Sequence, residues 1–430
     1  MRILFFSHYF PPEVNAPASR TFEHCAQWVA EGHDVTVITC APNCPDGVVY
    51  EGYKNTFRSQ TEEVQGIKVI RVWTYVAPNA GTIRRILNFV SYMISAVMAS
   101  LWLKRPDVII ATSPQFFCGW AGVIASRLKR TKFVLEIRDI WPESIEVVGA
   151  LRNRTLLKVL EFLERRMYLA ADHIVAVGEG YRQKIIEKVN VAERTSVVMN
   201  GVDLSSFVPR EPDIDFKRKW NLEGKFVCSY IGTIGMAHGL DVVIRAAKLL
   251  AAKGRDDIRF CLVGDGAVRE KLQQEAQAAG VDSMVQFTGR MAKAEMPTVL
   301  ASSDVCLVHL RGVELFGTVI PSKIFETMAM CRPIIMGVRG EACAMVLEAG
   351  AGVEMEPDSE TSLLSAIEPL ADNPAMTNEL GVSGREYVTR NFDRKVLAKR
   401  MLRTLHEVCG LEFPADKDVA ANTELAAERT

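Results

Sequence analysis

The feature that most constrains the fold of this chain is an alternation of short apolar runs with helical patterns, which starts twice. Runs of four to six residues of this kind are typical of buried strands. The first series is Ile3–Phe6, Asp34–Thr39, Ile67–Val72, Val108–Thr112, Phe133–Ile137, His173–Val177 and Ser196–Met199. The second is Phe226–Ile231, Ile258–Val263, Val285–Thr288, Val305–His309, Pro333–Met336 and Gly352–Met355. Strands that alternate with helices form parallel sheets with helices on both faces, so each series predicts one doubly wound α/β domain.

The junction between the two series falls in Leu204–Pro212, where turn residues accompany two prolines. We therefore expect a first Rossmann-like domain over residues 1–205 and a second over 213–383. A helical stretch over 384–411 follows, and the Ala/Glu/Asp-rich tail 412–430 is expected to be disordered.

Composition narrows the classes of function. The 51 Lys and Arg balance 52 Asp and Glu, which argues against a globally basic nucleic-acid binder. The ten cysteines include no CxxC pair and several lie in apolar runs, a pattern typical of buried free thiols in a reducing cytosol. The seven histidines show no HxxxH or HExxH spacing, so we expect no dedicated metal site. The opening MRILFFSHYFPPE is expected to be a first strand and a Pro-rich loop rather than a signal peptide.

One segment has a different character. Ile86–Leu103 runs for 18 residues without a charge between Arg84-Arg85 and Lys104-Arg105. This length is at the threshold for a membrane-spanning helix, but the strands on either side must join one sheet. A plain sheet-covering helix, or one that also touches a membrane surface through Phe89, Trp102 and the flanking basic residues, fits better. Between Thr82 and Lys132 eight Lys and Arg face a single acid, Asp107, which favours an anionic surface. No aromatic stacking platform accompanies this patch, so we expect no nucleic-acid partner.

A short segment of the second half combines features that suit a nucleotide. Pro321 and Ser322 are good helix-start residues, so free N–H groups and the cation of Lys323 lie at the start of a helix. Glu326 follows one turn later, where a carboxylate can accept two hydrogen bonds from a ribose diol.

Several motifs together resemble one family. They are VVMNGVDLSSF at 197–207, YIGTIGMAHGLDVVIRAA at 230–247, LVGDGAVREKL at 262–272, VQFTGR at 285–290 and VIPSKIFETMAM at 319–330. They resemble the retaining, nucleotide-sugar-dependent glycosyltransferases of the GT-B fold commonly called family four, over about Met1–Val408. The opening YFPPE and RDIWPES at 138–144 look like the subgroup that builds bacterial surface polysaccharides such as O-antigen, capsule or colanic acid.

The resemblance implies two Rossmann-like domains facing across a cleft, with a C-terminal helix that crosses back to the first domain. It also implies that the second domain binds the donor and that Glu326 holds the ribose. The donor-binding residues expected on this basis are Gly232, Thr233, Gly235, His238, Arg269, Arg290, Thr318, Val319, Ile320, Ser322, Lys323 and Glu326.

This sequence departs from the family pattern at the donor sugar and the diphosphate. A family Glu that grips the sugar is replaced by Thr318, which is compatible with a deoxy or amino sugar, and Glu314 is a possible but off-register substitute. Two family cations are replaced by Thr233 and His238, so diphosphate binding is expected to depend more on Lys323 and helix N–H groups.

The first domain is expected to bind the acceptor, because Glu13 and Arg20 follow the first strand and Arg138, Asp139 and Glu143 follow the fifth predicted strand. Many relatives have His where Arg138 stands, with that His against the donor sugar, so no catalytic His is available at this position. The acceptor candidates are Glu13, Arg20, Asp139 and Glu143, and the catalytic candidates are Lys323, Glu326, Arg138 and Asp139.

The resulting hypothesis is a cytoplasmic enzyme, peripheral on the inner face of the cell membrane, that needs no metal or cofactor. It moves a sugar from a nucleotide to an undecaprenyl-diphosphate-linked saccharide, with retention of the anomeric configuration. UDP is the nucleotide that the resemblance favours. Two alternatives stay open at this point: a GT-B-fold nucleotide-sugar epimerase, and an inactive partner that binds a lipid-linked sugar.

Overall fold

The computed structural model of the chain describes residues 1–44, 46–77, 82–113, 115–141 and 153–414. Its strands are β1 Arg2–Phe6, β2 Asp34–Cys40, β3 Gln60–Val64, β4 Ile67–Val72, β5 Val108–Thr112, β6 Lys132–Ile137, β7 His173–Ala176, β8 Thr195–Val197, β9 Phe226–Ile231, β10 Ile258–Val263, β11 Val285–Gly289, β12 Val305–His309, β13 Ile334–Gly337 and β14 Gly352–Glu354. Its helices are α1 Ala16–Ala30, α2 Thr82–Leu101, α3 Phe116–Lys129, α4 Arg154–Ala170, α5 Glu179–Lys188, α6 Ile214–Lys219, α7 Asp241–Ala252, α8 Arg269–Ala278, α9 Met296–Ala301, α10 Lys323–Ala329, α11 Glu341–Glu348, α12 Glu360–Asp372, α13 Pro374–Asn391 and α14 Arg394–Cys409.

The strands form two sheets, one from each half of the chain. The first has the order β3-β4-β2-β1-β5-β6-β7-β8, and its pairs are parallel apart from β3 with β4. The second has the order β11-β10-β9-β12-β13-β14 and is parallel throughout. The predicted fold class, two Rossmann-like α/β domains, is confirmed.

The strand order places a switch point in each sheet. The chain runs outward from β1 and returns to add β5 beside it, and it does the same at β9 and β12. Loops on the two sides of a switch point diverge and leave a crevice at the carboxyl ends of the strands, where open α/β sheets bind ligands. These loops include 7–15 in the first sheet and 232–240 in the second.

The end of the chain returns to the first sheet. Val202 and Asp393 form a parallel bridge, with Val202 N–H donating to the Phe392 carbonyl and Arg394 N–H donating to the Val202 carbonyl. From this crossing α14 packs on α1, where Trp28 Nε1 donates to the Ala398 carbonyl at 2.9 Å. The stretch predicted as one helix over 384–411 is therefore two helices, because the backbone at 392–394 bonds to Val202 and the Asp393 side chain caps α14.

Other elements refine the predictions from sequence. Strand β3 was not predicted, because its sequence QTEEV is polar; it forms an antiparallel edge strand joined to β4 through Gln65 and Gly66, both at positive φ. Of the predicted tail 412–430, residues 415–430 lie outside the described residues.

Helix α2 packs against the first sheet with one face only. Its polar side turns inward, since Asn88 Nδ2 donates to the Tyr75 carbonyl at 2.8 Å and Ser91 Oγ accepts from Tyr75 N–H. Within the described ranges, no helix is long and apolar enough to span a bilayer. The expectation that Phe89 faces a membrane is wrong, because its ring is buried and packs edge-on against His8.

The return of α14 to the first domain leads to a prediction about stability. Trp28→Phe removes the only polar atom of a fully buried indole and its bond to Ala398, so we expect the free energy of unfolding to fall by about 1–2 kcal/mol. Trp102→Phe is the matched control, because Trp102 is 88% exposed. Urea unfolding of both variants measures this, and equal stability of the two would show that the bond contributes nothing.

Candidate active site

A cavity of about 540 Å³ lies between the carboxyl edges of the two sheets. Its walls come from α1 and the end of β6 in the first domain, from the loops after β9, β11 and β12 in the second, and from the start of α14. The switch points of the two sheets therefore open onto one space. A ligand in that space contacts both domains.

On the second-domain wall, Lys323 is the first residue of α10. Its Nζ lies 3.8 Å from the centroid of the Tyr230 ring, and only 3.0 Å from where a Cβ on Gly232 would stand. Gly232 has φ +139°, a conformation that L side chains rarely adopt, so a glycine both permits the turn and leaves room for the ammonium. Burial lowers the pKa of Lys323 to about 7.

Glu326 lies one turn further along α10 and lines the same cavity. Its Oε1 is 3.8 Å from Arg394 Nη2 of α14. Burial raises the pKa of this carboxyl, and the nearby guanidinium of Arg394 opposes the rise. The site therefore holds a carboxylate that is screened from water but kept near a cation.

A charged network joins the two domains beside Glu326. Glu23 of α1 forms ion pairs with Arg394 and with Lys293. The Nζ atom of Lys293 lies 3.4 Å from Glu23 Oε1 and 3.1 Å from Ser19 Oγ. Arg394 additionally donates to the Gly201 carbonyl at 2.7 Å. The first domain, the second domain and the C-terminal helix therefore share one set of ion pairs at the cavity rim.

The first-domain wall is built around a buried ion pair. Arg20 Nε donates to Glu136 Oε1 at 2.9 Å, and Thr112 Oγ1 donates to Glu136 Oε2 at 2.6 Å. Burial by itself would raise the pKa of Glu136, but Arg20 and then Arg138 outweigh it and lower the pKa to about 2. His24 is buried beside this pair, and burial followed by the charge of Arg20 lowers its pKa well below the usual value, so the ring is neutral.

Nine of the residues predicted for the site line the cavity. These are Arg20, Arg138, Gly232, Thr233, His238, Val319, Ser322, Lys323 and Glu326. His238 is neutral there, because burial and then the charge of Lys323 lower its pKa to about 4.

Other donor candidates lie outside the cavity. Gly235 faces a separate groove between α7 and α8. Arg269 forms an ion pair with Asp265, with 3.6 Å between Nε and Oδ1, and Arg290 is exposed. Thr318 and Ile320 pack against the start of α5 at Gly178 and Gly180, on the domain interface. The contacts of Thr318 and Ile320 place them between the domains rather than on a donor pocket.

Two acceptor candidates hold the fold together instead. Glu13 is 3% exposed, and its carboxylate accepts from the backbone N–H groups of Phe10, Asn43 and Cys44. Arg20 is also buried, and besides Glu136 it donates to the carbonyls of 198 and 199 and to the amide oxygen of residue 200. These contacts correct the expectation that both side chains meet an acceptor, since their hydrogen-bonding capacity is largely used within the first domain.

Two more acceptor candidates are less directly placed. Asp139 does not line the interdomain cavity; it borders a small void with Trp141 and lies near Tyr181, whose pKa is raised by burial and then by the charge of Asp139. Glu143 lies outside the described residues.

The sequence analysis missed several cavity residues. Glu23 and His24 lie three and four residues after Arg20 on α1, so helical spacing from Arg20 could have found them. Lys293 and Arg394 carry no comparable signal, because only the folded chain brings them together at Glu23.

The fold and this cavity define a class of protein that comparisons with solved structures also indicate. The structure of sucrose-phosphate synthase (tll1590) from Thermosynechococcus elongatus matches with a TM-score of 0.75 at 17% identity, covering 95% of this chain and 99% of that one. Anabaena Alr3699/HepE in complex with UDP and glucose matches with a TM-score of 0.70 at 21% identity, covering 94% and 99%. These similarities show the two-domain GT-B fold.

Family models name the two halves more closely. Residues 15–201 match the "Glycosyl transferase 4-like domain" and residues 212–387 match "Glycosyl transferases group 1". Among curated proteins, "Putative colanic acid biosynthesis glycosyl transferase WcaI" of Escherichia coli (strain K12) is 26% identical over 420 residues, covering 94% of this chain and all of that protein. The chain belongs to the glycosyltransferases whose two domains these models describe.

The buried ammonium of Lys323 leads to a pH-dependent prediction. Its pKa is about 7 in the folded protein and about 10.4 in an unfolded chain, so the folded state binds fewer protons between these values. Burying the charged form is costly below pH 7, and that cost disappears as the pH rises towards 10. We expect Lys323→Met to stabilise the unliganded protein at pH 6, with a gain that shrinks steadily by pH 9.5.

The measurement is the difference in free energy of unfolding between Lys323→Met and wild type over this pH range. Lys271→Met is a suitable control, because the Lys271 side chain is 74% exposed. A difference that does not change with pH would contradict the lowered pKa.

Proposed function

We propose that the protein transfers a sugar, with retention of configuration, from a UDP-linked donor to a saccharide on an undecaprenyl-diphosphate carrier in bacterial surface polysaccharide synthesis. The observation that carries the proposal is that Lys323 and Glu326, one helical turn apart, line the same interdomain cavity. The E. coli relative, whose name refers to colanic acid biosynthesis, supports the class of product, and the UDP complex of HepE supports the nucleotide.

The second domain holds the donor in this proposal. Lys323 binds the diphosphate, and Glu326 accepts hydrogen bonds from the two ribose hydroxyls. Since Lys323 has no ion pair among the described residues, an incoming diphosphate does not have to displace a carboxylate from it. This side chain offsets part of the charge of the leaving group, and the proposed transfer uses no metal.

The chemistry requires no protein nucleophile. The bond from the anomeric carbon to the β-phosphate oxygen breaks, the acceptor oxygen bonds to the same face of that carbon, and the acceptor proton passes to the departing diphosphate. The protein holds both substrates close and stabilises the departing charge. Since the family's sugar-binding carboxylate is absent from position 318, an N-acetylated deoxyhexose such as N-acetyl-fucosamine is the sugar that we favour, although Thr318 itself lies outside the cavity.

Glu326 provides the direct test of the donor site. We expect Glu326→Gln to weaken UDP binding by about 2–3 kcal/mol, because charged hydrogen bonds to the ribose become neutral ones. Calorimetric titration with UDP and with its 2′,3′-dideoxy analogue separates this effect from general damage, since the analogue should bind both proteins equally. Unchanged affinity for UDP would remove Glu326 from the site.

Turnover separates the proposed transferase from its alternatives. UDP release from a panel of UDP-sugars that requires a lipid-linked saccharide supports the transferase. Conversion of the nucleotide sugar without an acceptor indicates an epimerase, and binding without any conversion indicates an inactive partner.

Helix α2 supports a location on the inner face of the membrane. Side chains spaced by seven, four and three residues along it are exposed: Leu87, Ile94, Met98 and Leu101. Trp102 follows directly, and Arg84, Lys104 and Arg105 flank this apolar stripe. An apolar stripe with basic ends suits the interface of an anionic bilayer, where each cation contributes about 1 kcal/mol.

Flotation with liposomes tests this location. We expect wild type to float with vesicles containing phosphatidylglycerol and to dissociate in high salt, whereas a variant with Met98→Asp and Lys104→Glu stays behind. Ile214→Asp is the matched control, because Ile214 is a similarly exposed apolar residue of the second domain. If wild type remains unbound with every lipid mixture, the stripe does not bind a membrane.

A further inference from the structure

The cavity contains more cations than its carboxylates can pair. Five basic side chains line it: Arg20, Arg138, Lys293, Lys323 and Arg394. Arg20 is paired with Glu136, and Lys293 and Arg394 share Glu23. Among the described residues, Lys323 and Arg138 are therefore left without an ion pair, one on each domain wall.

The Arg138 side chain is also short of hydrogen bonds. Its Nε and Nη1 atoms are shielded from solvent and have no hydrogen-bond partner among the described residues. The charge of Glu136, two residues earlier, acts on Arg138, but both carboxylate oxygens of Glu136 are already hydrogen-bonded to Arg20 and Thr112. Burial lowers the pKa of Arg138 to about 10, which leaves the guanidinium charged at neutral pH.

A charged guanidinium with two shielded nitrogens that make no hydrogen bond destabilises a fold, because the nearby charge of Glu136 offsets only part of the desolvation. An oxyanion in the cavity beside Arg138 reduces that penalty and can form charge-assisted bonds with the guanidinium. An arginine at position 138 is therefore poorly explained by a contribution to stability. An anionic group that enters the cavity explains it better.

The second domain lacks cations where a diphosphate needs them. Thr233 and His238 line the cavity beside Lys323, and His238 is neutral. Lys323 supplies one positive charge, whereas the diphosphate of a nucleotide sugar carries two negative charges. Arg138 is the second unpaired cation facing the same space.

We propose that Arg138 of the first domain binds an oxyanion of the donor beyond its α-phosphate, across the cavity from Lys323. This inference rests on the proposed function. We favour the β-phosphate as this oxyanion, because positions 233 and 238 supply no cation to bind it. A carboxylate on the donor sugar would offer the same chemistry. Donor binding then draws the two domain walls towards one diphosphate.

The test compares ligands that differ by one anionic group. Affinities of wild type and Arg138→Met are measured for UMP, UDP, UDP-glucose and UDP-glucuronate, with the guanosine series in parallel. We expect UMP to bind both proteins equally and UDP and UDP-glucose to bind Arg138→Met at least tenfold more weakly. Arg138→Lys should restore part of the loss. A tenfold loss confined to UDP-glucuronate assigns the same role to a sugar carboxylate.

Thermal unfolding without ligand separates a binding role from a structural one. Arg20→Met should unfold clearly earlier than Arg138→Met, because Arg20 makes four hydrogen bonds, whereas the Nε and Nη1 atoms of Arg138 make none. Equal affinities of wild type and Arg138→Met for all ligands, or an equal loss for UMP and UDP, would overturn the proposal. If wild type binds neither series, the proposed donor function itself fails.

Discussion

The buried pair of Arg20 and Glu136 organises the first-domain side of the cavity. One guanidinium ties α1 to the end of β6 and to the backbone just after β8, three parts of the chain that are far apart in sequence. A charge pair in such a setting is retained only when its bonding is nearly complete, and Arg20 with Thr112 meets that condition. The completeness has a second effect: among the described residues, it leaves Arg138 without an ion pair at the cavity wall.

The opposite wall follows from backbone geometry. Gly232 turns the chain after β9 closely past α10: its φ of +139° suits glycine, and a Cβ there would stand 3.0 Å from Lys323 Nζ. The ion pairs of Glu23 with Lys293 and Arg394 then bring this wall beside α1. Specific side chains thus set the separation of the two sheets, and the cavity takes its size from them.

Much of the fold could be predicted from sequence, because parallel strands are buried on both faces and give continuous apolar runs. The polar edge strand β3 and the break at Phe392 could not, since one lacks that signal and the other depends on a bond to Val202. In the site, the PSK segment identified Lys323 and Glu326 as candidates through local helix-start chemistry. Whether a polar side chain is available to a ligand or is used within the fold depends on partners that are distant in sequence. Glu13, for example, accepts hydrogen bonds from the backbone N–H groups of residues 43 and 44.

The crossing of the chain at Val202 and Asp393 determines how chimeras of this protein have to be built. Because α14 belongs spatially to the first domain, the second domain is an insertion with two ends side by side at this bridge. A chimera that exchanges only the second domain therefore needs two joints, one at each side of the bridge. A single joint in the linker would import a foreign final helix under Trp28 and mismatch its packing with α1.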